Sequence, residues 1–213
     1  MAHVSAAERR PQLIKAAIDL MSREGIAAGS TRAVAAELGV AQATLQYIFG
    51  TKKDLYRAVI EQLTDDYIDR VRAAHPDDGP FPQQVEALVH ALWDGMTDDY
   101  NRYVLLYEFS AMAFRDPDLR RILSEHEQRS EQTAADLLDA LADAHGIDLS
   151  LPSRDIAVLF LAGFSGLVDR HLLLGAGGGQ KRLDRPAALD QFVAAMVGLC
   201  LGQSAALVQQ LPD

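Results

Sequence analysis

The sequence predicts an all-α protein with a small N-terminal helix-turn-helix domain and a larger helical remainder. Apolar residues recur with the 3.6-residue period of a helix along most of the chain, and strand-like alternation is absent. Glycines and prolines end these periodic runs at regular points. Two short runs near the N-terminus are separated by a glycine turn at Gly39, a spacing typical of a helix-turn-helix.

The composition restricts the class of protein before any motif is considered. The 213 residues are 49% apolar and 23% charged, which suits a globular fold. The only cysteine, Cys200, allows no disulfide within the chain and suits a reducing cytoplasm. The N-terminal residues 1–12 lack the apolar core of a secretory signal. The apolar part of the charge-free end, residues 192–202, is too short to span a bilayer, so we predict no membrane partner.

Charge is distributed unevenly along the chain. Residues 1–58 contain eight basic and five acidic side chains, a net charge of +3. Because the whole chain has a net charge of −10, residues 59–213 carry −13. Such asymmetry suggests that only the N-terminal part meets a polyanion. Charge alone does not separate this interpretation from an ordinary mixed surface.

The N-terminal part divides into four predicted helices. The first covers about residues 8–24, begins near Arg10 with Pro11 at its first position, and ends at a glycine. Ser30 is the expected N-cap of the second, at 31–38. The third covers 42–49 and ends at Gly50. The fourth covers 52–74 and begins with a reciprocal cap between Thr51 and Asp54.

Five further helices follow a break at 75–82, at about 83–97, 99–115, 116–145, 153–174 and after Pro186. The last two are apolar on nearly all sides and contain several glycines, which predicts burial. Two such helices pairing with their copies would form a four-helix dimer interface, with a thick monomer core as the alternative. The candidate interface residues are Phe160, Gly163, Leu167, Met196 and Cys200.

The third helix has a polar face suited to DNA. On a helical wheel Gln42, Ala43, Gln46 and Tyr47 share one side, whereas Leu45 and Ile48 face Val34 and Leu38 of the preceding helix. Thr44 and Phe49 lie at the flanks. Glutamine amides bond adenine, small methyl groups contact thymine, and a phenol bonds phosphate. The start of the fourth helix adds two lysines to free backbone N–H groups, an anion site. The candidate DNA-binding residues are Ser30, Thr31, Arg32, Gln42, Ala43, Thr44, Gln46, Tyr47 and Lys52. The alternative is a solvated short helix beside an ordinary cap.

Residues from about 9 to 63 resemble the DNA-binding domain of the TetR family of transcriptional regulators. The motifs are "LIKAAIDLMSREG" and "STRAVAAELGVAQATLQYIFGTKKDLYRAVI", and "LLYEFSAMAFRDPDLRRIL" weakly resembles the BetI-like subgroup. In this resemblance Ser30 matches the N-cap of the second helix, and Lys52 matches the phosphate-binding lysine. Gln46 stands where the family commonly has tyrosine.

The resemblance implies an all-α fold of about nine helices. Residues 1–52 would bind DNA, and residues 53–213 would bind ligand and dimerise. Family members bind palindromic operators as two-fold dimers, mostly as repressors that a small ligand releases. The sequence is therefore interpreted as a dimeric, cytoplasmic repressor. A helical interaction module without specific DNA binding is the alternative.

Aromatic and sulfur side chains gather in the regulatory part and suggest a pocket for a mostly apolar ligand. The candidates are His90, Trp93, Met96, Tyr103, Tyr107, Met112, Phe160 and Phe164, and plain core packing is the alternative for each. No two histidines have the i, i+4 spacing of a metal pair, so we predict no metal and no cofactor. "GFSGL" and "GAGGG" lack the context of a nucleophile elbow or a phosphate loop, so no enzyme is predicted.

Overall fold

A computed structural model describes residues 6–74, 78–175 and 185–202 of the chain. These residues form nine α-helices and one short 3₁₀ turn, Ile26–Ala28, without any strand. The all-α prediction and the predicted order of helices are therefore confirmed. The predicted glycine loop at 176–179 and the end of the chain after Gly202 lie outside the described residues.

The helices have the following bounds: α1 Ala6–Glu24, α2 Thr31–Glu37, α3 Gln42–Phe49, α4 Lys52–Ala73, α5 Phe81–Asp98, α6 Tyr100–Ala113, α7 Pro117–His145, α8 Ser153–Gly175 and α9 Ala187–Cys200. Most of these bounds lie within two residues of the predicted ones, because capping residues and glycines mark the ends. Gly39, Gly50 and Gly146 have positive φ angles of 63°, 75° and 61° at three of these ends.

The start of α1 was predicted wrongly. We expected Pro11 at the first helical position, but α1 includes Ala6 and holds Pro11 inside the helix. Pro11 is the sixth described residue of α1 and lacks a backbone N–H, so the helix loses one hydrogen bond near its N-terminus. Leu13, Ala17 and Ile18 are at most 1% exposed, and their burial holds this segment helical.

The first packing unit comprises Met1–Asp66 and Asp99–Glu127. It contains α1 to α3, the start of α4, α6 and the start of α7. One apolar cluster of side chains from all of these helices forms its core. Within it Tyr56 of α4 and Phe109 of α6 meet edge to face, with ring centroids 5.1 Å apart.

Two details of the helix-turn-helix differ from the wheel prediction. Leu45 and Val34 are buried as expected, but Leu38 is 39% exposed and forms the C-cap of α2 rather than packing inside. Phe49, expected at the flank of α3, is 7% exposed and belongs to the core. The guanidinium carbon of Arg10 lies 5.6 Å from the centre of the Phe49 ring. The long Phe49 side chain reaches the core from the last turn of α3. A helical wheel shows only the direction of each side chain and not its length, so it does not predict this contact.

The second packing unit comprises Tyr67–Asp98 and Gln128–Asp213. Its helices are the end of α4, α5, the rest of α7, α8 and α9. One cluster of its core contains Phe81, Leu88, Leu141, Ile156 and Cys200. The two units divide α4 and α7 by packing, whereas the predicted division at residue 52 concerns roles, and it stays a prediction.

Among the described residues, α8 is long and apolar enough to cross a membrane by length and composition. Only 28% of its apolar window is buried within the chain. Its apolar character therefore exceeds what packing among the described residues uses.

Candidate DNA-binding surface and regulatory sites

The turn before α2 is fixed by a cap and by a close approach. The Ser30 hydroxyl accepts a hydrogen bond from the backbone N–H of Ala33 at 3.1 Å, as the N-cap prediction required. Before it, a Cβ on Gly29 would lie 2.3 Å from Cε of Met21. The chain therefore passes directly over α1 at Gly29, which sets where α2 begins.

The outward face of α3 is as polar and open as the wheel predicted. Gln42, Ala43 and Gln46 are exposed, and Tyr47 is 83% exposed. Thr44 is half-buried, and Leu45 on the opposite side is completely buried. A phenol this exposed contributes little to the core, so the fold does not explain it. The amide of Gln42 donates to the Thr31 hydroxyl at 3.5 Å and links α3 to α2.

The start of α4 carries the predicted reciprocal cap. The Thr51 backbone N–H donates to the Asp54 carboxylate at 3.1 Å, and the Asp54 N–H donates to the Thr51 hydroxyl at 3.2 Å. The Thr51 hydroxyl also donates to Asp54, and these bonds hold the pKa of that carboxyl below its usual value. The first turn of α4 is thereby fixed.

The two lysines at this start have different surroundings. The Lys53 ammonium donates to Asp118 of α7 at 2.5 Å and lies 3.5 Å from Asp116. The bond to Asp118 raises the pKa of Lys53 and pairs its charge. Lys52 is exposed, lies 5.0 Å from the Tyr56 ring centre, and has no carboxylate partner among the described residues. The sequence suggested two ammonium groups for one anion site, but one of them is already paired.

Arg32 completes the predicted surface. It is exposed in the first turn of α2, beside the half-buried Ser30 and Thr31. The nine predicted DNA-contacting residues thus occupy α2, α3 and the first turn of α4, all within the first packing unit.

Helix α6 holds the turn that precedes α2, which sequence reasoning did not predict. The Glu108 carboxylate accepts from the backbone N–H of Ile26 at 2.7 Å. The Tyr56 hydroxyl of α4 donates to the carbonyl of Ile26 at 3.3 Å. No motif signals such contacts, because the partners are 82 and 30 residues apart in sequence.

Helix α4 is tied to α7 at two further points. Arg57 forms an ion pair with Glu125, which raises the pKa of Arg57. The Thr64 hydroxyl donates to the Ile60 carbonyl at 2.7 Å and therefore accepts from Nδ1–H of His126. Burial lowers the pKa of His126 to about 4, so its ring is neutral near pH 7.

An aromatic cluster connects α5 and α8 in the second unit. Trp93 is completely buried, and its ring centre lies 6.1 Å from that of Phe164 and 5.0 Å from that of His171. The Phe160 ring centre lies 5.4 Å from that of Phe164, with the rings tilted, and 5.8 Å from that of Phe192, with the rings stacked. Trp93 Nε1 and His171 Nε2 are buried without a hydrogen-bond partner among the described residues. Buried polar atoms normally have partners, so this cluster has unused bonding capacity.

The other predicted ligand residues lie elsewhere. Met96 is half-buried on α5. Tyr103, Tyr107 and Met112 belong to α6 in the first unit, where Tyr107 is 56% and Met112 39% exposed. His171 and Phe192 were missed, because an isolated histidine and a phenylalanine in an apolar helix carry no distinguishing pattern.

The predicted interface residues are only partly at the surface of the chain. A Cβ on Gly163 would lie 2.7 Å from Phe192, so this glycine permits the close approach of α8 and α9. Cys200 is 2% exposed, and burial raises its thiol pKa. Leu167 and Met196 are half-buried.

A polar cluster surrounds His90 on α5. Glu86 and Asp190 lie near its ring, and Arg185 contacts both His90 and Asp94. Beside it, a groove of about 290 Å³ is lined by Pro82, Glu86, Asp190, Val193, Ala194, Val197 and Gly198.

The chain matches two sequence profiles that cover most of this architecture. One, described as bacterial regulatory proteins of the tetR family, matches residues 13–59. This range includes the Ser30 cap, α2, α3 and Lys52. The other, described as the C-terminal part of BetI-type transcriptional repressors, matches residues 82–198. The chain belongs to the TetR family. It is a DNA-binding transcriptional regulator, and the interaction-module alternative is not favoured.

Individual relatives of this TetR-family chain include activators and other regulators. The HTH-type transcriptional activator FasR of Mycolicibacterium smegmatis is 32% identical over 47% of this chain, a match that spans 46% of FasR. The regulator BetI of Vibrio parahaemolyticus is 26% identical over 66% of this chain and 72% of its own. The multidrug binding protein EbrR, solved with imidazole, is 28% identical with a TM-score of 0.62, covering 91% of this chain and 90% of EbrR.

Proposed function

We propose that the chain represses transcription as a homodimer that binds a palindromic operator and is released by a small, largely apolar ligand. The observation that carries this proposal is the exposed polar face of α3 opposite a buried apolar face. Beside it, at the start of α4, Lys52 has no carboxylate partner in the described part of the chain. A helix of this kind enters the major groove. Half-sites would lie about 34–36 Å apart, or a multiple of that distance.

Within each half-site the residues divide by role. Gln42 and Gln46 would bond base edges, with Ala43 and Thr44 near thymine methyl groups. Tyr47, Thr31, Arg32 and Lys52 would contact phosphates, and Ser30 would position α2. Lys53 is not assigned, because Asp118 and Asp116 already hold it.

The dimer would form through α8 and α9. Exposed apolar residues recur on α8 at helical spacing, at Val158, Leu159, Ala162, Gly166 and Leu173, with the polar Ser165 and Arg170 among them. Ala194 and Ala195 on α9 are also exposed. Small residues let helices approach closely, and a two-fold arrangement of these faces makes a four-helix interface. Of the originally predicted residues, Phe160, Leu167 and Met196 are half-buried and adjoin this surface, whereas Gly163 and Cys200 support it from inside the chain.

The effector would bind at the aromatic cluster of α5 and α8. Trp93 Nε1 is a donor in a completely buried side chain and has no partner within residues 6–74, 78–175 and 185–202, and His171 Nε2 lies in the same cluster. A mostly flat, apolar molecule with one acceptor atom would use both. That EbrR, 28% identical, was solved with imidazole supports a ring-shaped ligand.

Release would follow from movement of α4. Ligand that favours one position of α4 would change the separation of the two reader helices, with a coupling of about 1–3 kcal/mol. The regulator would work in the cytoplasm and without catalysis, since both matched profiles describe transcriptional regulators.

The test is enrichment of binders from a random duplex DNA pool, followed by anisotropy titration at two salt concentrations. A palindromic consensus bound tightly and in a salt-sensitive way supports the proposal. If no sequence is enriched and weak binding vanishes as salt rises, the polar face of α3 does not recognise a DNA sequence. Protein refolded from denaturant controls for a copurified effector.

A further inference from the structure

Three potential metal ligands converge at the start of α9. Glu86 and His90 lie one turn apart on α5, and Asp190 lies in the first turn of α9. Their nearest ligand atoms all lie within 4.8 Å of one another. His90 Nε2 is 3.5 Å from Asp190 Oδ1 and 3.9 Å from Glu86 Oε1.

The imidazole nitrogen at the centre of this cluster is left without a hydrogen bond. His90 Nε2 is screened from solvent and forms no hydrogen bond among the described residues, although the Asp190 and Glu86 carboxylates lie 3.5 and 3.9 Å from it. Two anionic groups thus flank a shielded nitrogen without bonding it. An ion placed among the three atoms would satisfy all of them.

We propose that Glu86, His90 and Asp190 bind a divalent transition-metal ion, with Zn²⁺ as the ion that fits best. One imidazole nitrogen and two carboxylate oxygens suit zinc, whereas calcium and magnesium take oxygen ligands. Ligands of a tetrahedral zinc ion, each about 2.0–2.1 Å from the metal, lie about 3.3 Å apart. The 3.5 Å from Nε2 to Asp190 is close to that value, whereas Glu86 at 3.9 Å would have to move inward when the ion binds. Both carboxylates also line the groove, which leaves room for a water or a ligand atom at the fourth position.

The charge of the surroundings favours a cation. Glu86, Asp94 and Asp190 supply three negative charges, and Arg185 supplies one positive charge. Arg185 binds Asp94 through two bonds of 3.1 and 2.5 Å, and these bonds raise its pKa. Asp94 is thereby occupied, and the net charge of the cluster with a neutral His90 is −2 by this count.

Arg185 opposes the metal at one point. Its Nη1 lies 3.1 Å from His90 Nδ1, and a guanidinium only donates, so Nδ1 accepts and Nε2 carries the ring proton. A metal needs the lone pair of Nε2. On binding, the Nε2 proton leaves to water and Nδ1 takes one, so the ring stays neutral and Nη1 withdraws. Removing the guanidinium should therefore tighten metal binding, which a purely structural ion-pair cluster does not predict.

The site goes beyond the proposed function and does not depend on it. Its ligands join α5 to α9, and α9 carries part of the proposed dimer surface. A bound ion would fix the start of α9 against α5. It would give the regulatory part an input separate from the aromatic cluster.

The test is calorimetric titration of the full, chelator-treated chain with ZnCl₂, with Co²⁺ absorption as a second readout of imidazole and carboxylate ligation. We expect one ion per chain. His90→Gln, Asp190→Asn and Glu86→Gln should each weaken binding at least ten-fold, and Arg185→Gln should tighten it several-fold. Glu131→Gln is the matched control, because it removes a carboxylate that pairs with Arg154 at 3.5 Å elsewhere in the same unit.

Any of three results would overturn the proposal. The first is the absence of saturable binding to the parent chain. The second is equal affinity in the parent, His90→Gln and Asp190→Asn. The third is an Arg185→Gln variant that binds no more tightly than the parent. Glu86 and Asp190 are exposed, so their variants should fold, and circular dichroism before titration verifies this for every variant.

Discussion

Lys52 and Lys53 offer a comparison between two identical side chains in adjacent positions. Lys53 is held by Asp118 and Asp116, whereas Lys52 is exposed without a carboxylate partner among the described residues. Binding DNA through Lys53 would first require breaking its ion pairs. We therefore predict that Lys52→Ala weakens binding to all DNA sequences and lowers the slope of log K against log salt by about 1. Lys53→Ala should change the slope by clearly less, as anisotropy at four salt concentrations would show.

Equal slopes for the two variants would mean that Lys53 leaves its carboxylates when DNA binds. The assignment of phosphate contacts in the first turn of α4 would then be wrong. Asp118→Asn, which weakens the pairing without touching the lysine, serves as the control. In the present assignment it should bring Lys53 closer to the behaviour of Lys52.

Gln46 should act on sequence preference rather than on overall affinity. Its side chain is exposed at the centre of the outward face of α3, where an amide bonds adenine at two atoms. Gln46→Ala should lower discrimination at one position of each half-site by about 1–3 kcal/mol and leave the salt slope unchanged. Titration against operators substituted at each position would locate the effect. Uniform weakening at every position instead would indicate a phosphate contact.

At the scale of the elements, His126 links the stability of the α4–α7 contact to pH. Its ring is neutral in the fold with a pKa of about 4, whereas the unfolded chain titrates near 6.5. The unfolded state therefore binds more protons between these values, and stability falls as pH drops through this window. The stability that neutral His126 contributes is therefore fully present above pH 6.5.

We predict that the parent chain loses about 1 kcal/mol more than His126→Gln between pH 7.5 and 5.5. Glutamine keeps a donor for Thr64 but does not titrate. Urea denaturation at both pH values measures the difference, and pH 5.5 stays above the isoelectric point near 5.0. If both chains lost equal stability, His126 would have to be solvated in the fold.

The elements themselves followed from local signals in the sequence. Ser30, Thr51 and the glycines after α2, α3 and α7 fix helix ends by interactions within four residues, so the sequence pattern predicts them. Contacts that join distant segments gave no such signal. The pairing of Lys53 with Asp118, the bond from Ile26 to Glu108 and the convergence of Asp190 on His90 each require the tertiary fold. The exposed polar face of α3 was predictable because it lies on one short helix, whereas His171 and Phe192 of the aromatic cluster were missed because that cluster joins three helices.

At the scale of the whole molecule, α8 presents exposed apolar surface that no other described residue covers. Leu159 is 52% and Val158 40% exposed, in a helix of which little is buried within the chain. Contiguous exposed apolar surface of this kind marks an interaction site. A charge placed in a dimer interface is costly, because it must be desolvated without a partner.

We therefore predict that Leu159→Arg shifts the protein from dimer to monomer and, because each half-site alone is weak, lowers operator affinity at least ten-fold. Light scattering behind a sizing column gives the mass, and anisotropy gives the affinity. Phe114→Arg is the control: Phe114, the C-cap of α6, is 79% exposed, so the same charge is added to an open apolar residue outside the proposed interface. It should leave the mass unchanged. If the Leu159→Arg protein remains dimeric, the interface does not lie on α8. If the parent chain is monomeric at micromolar concentration, the proposal of two-fold DNA binding is wrong.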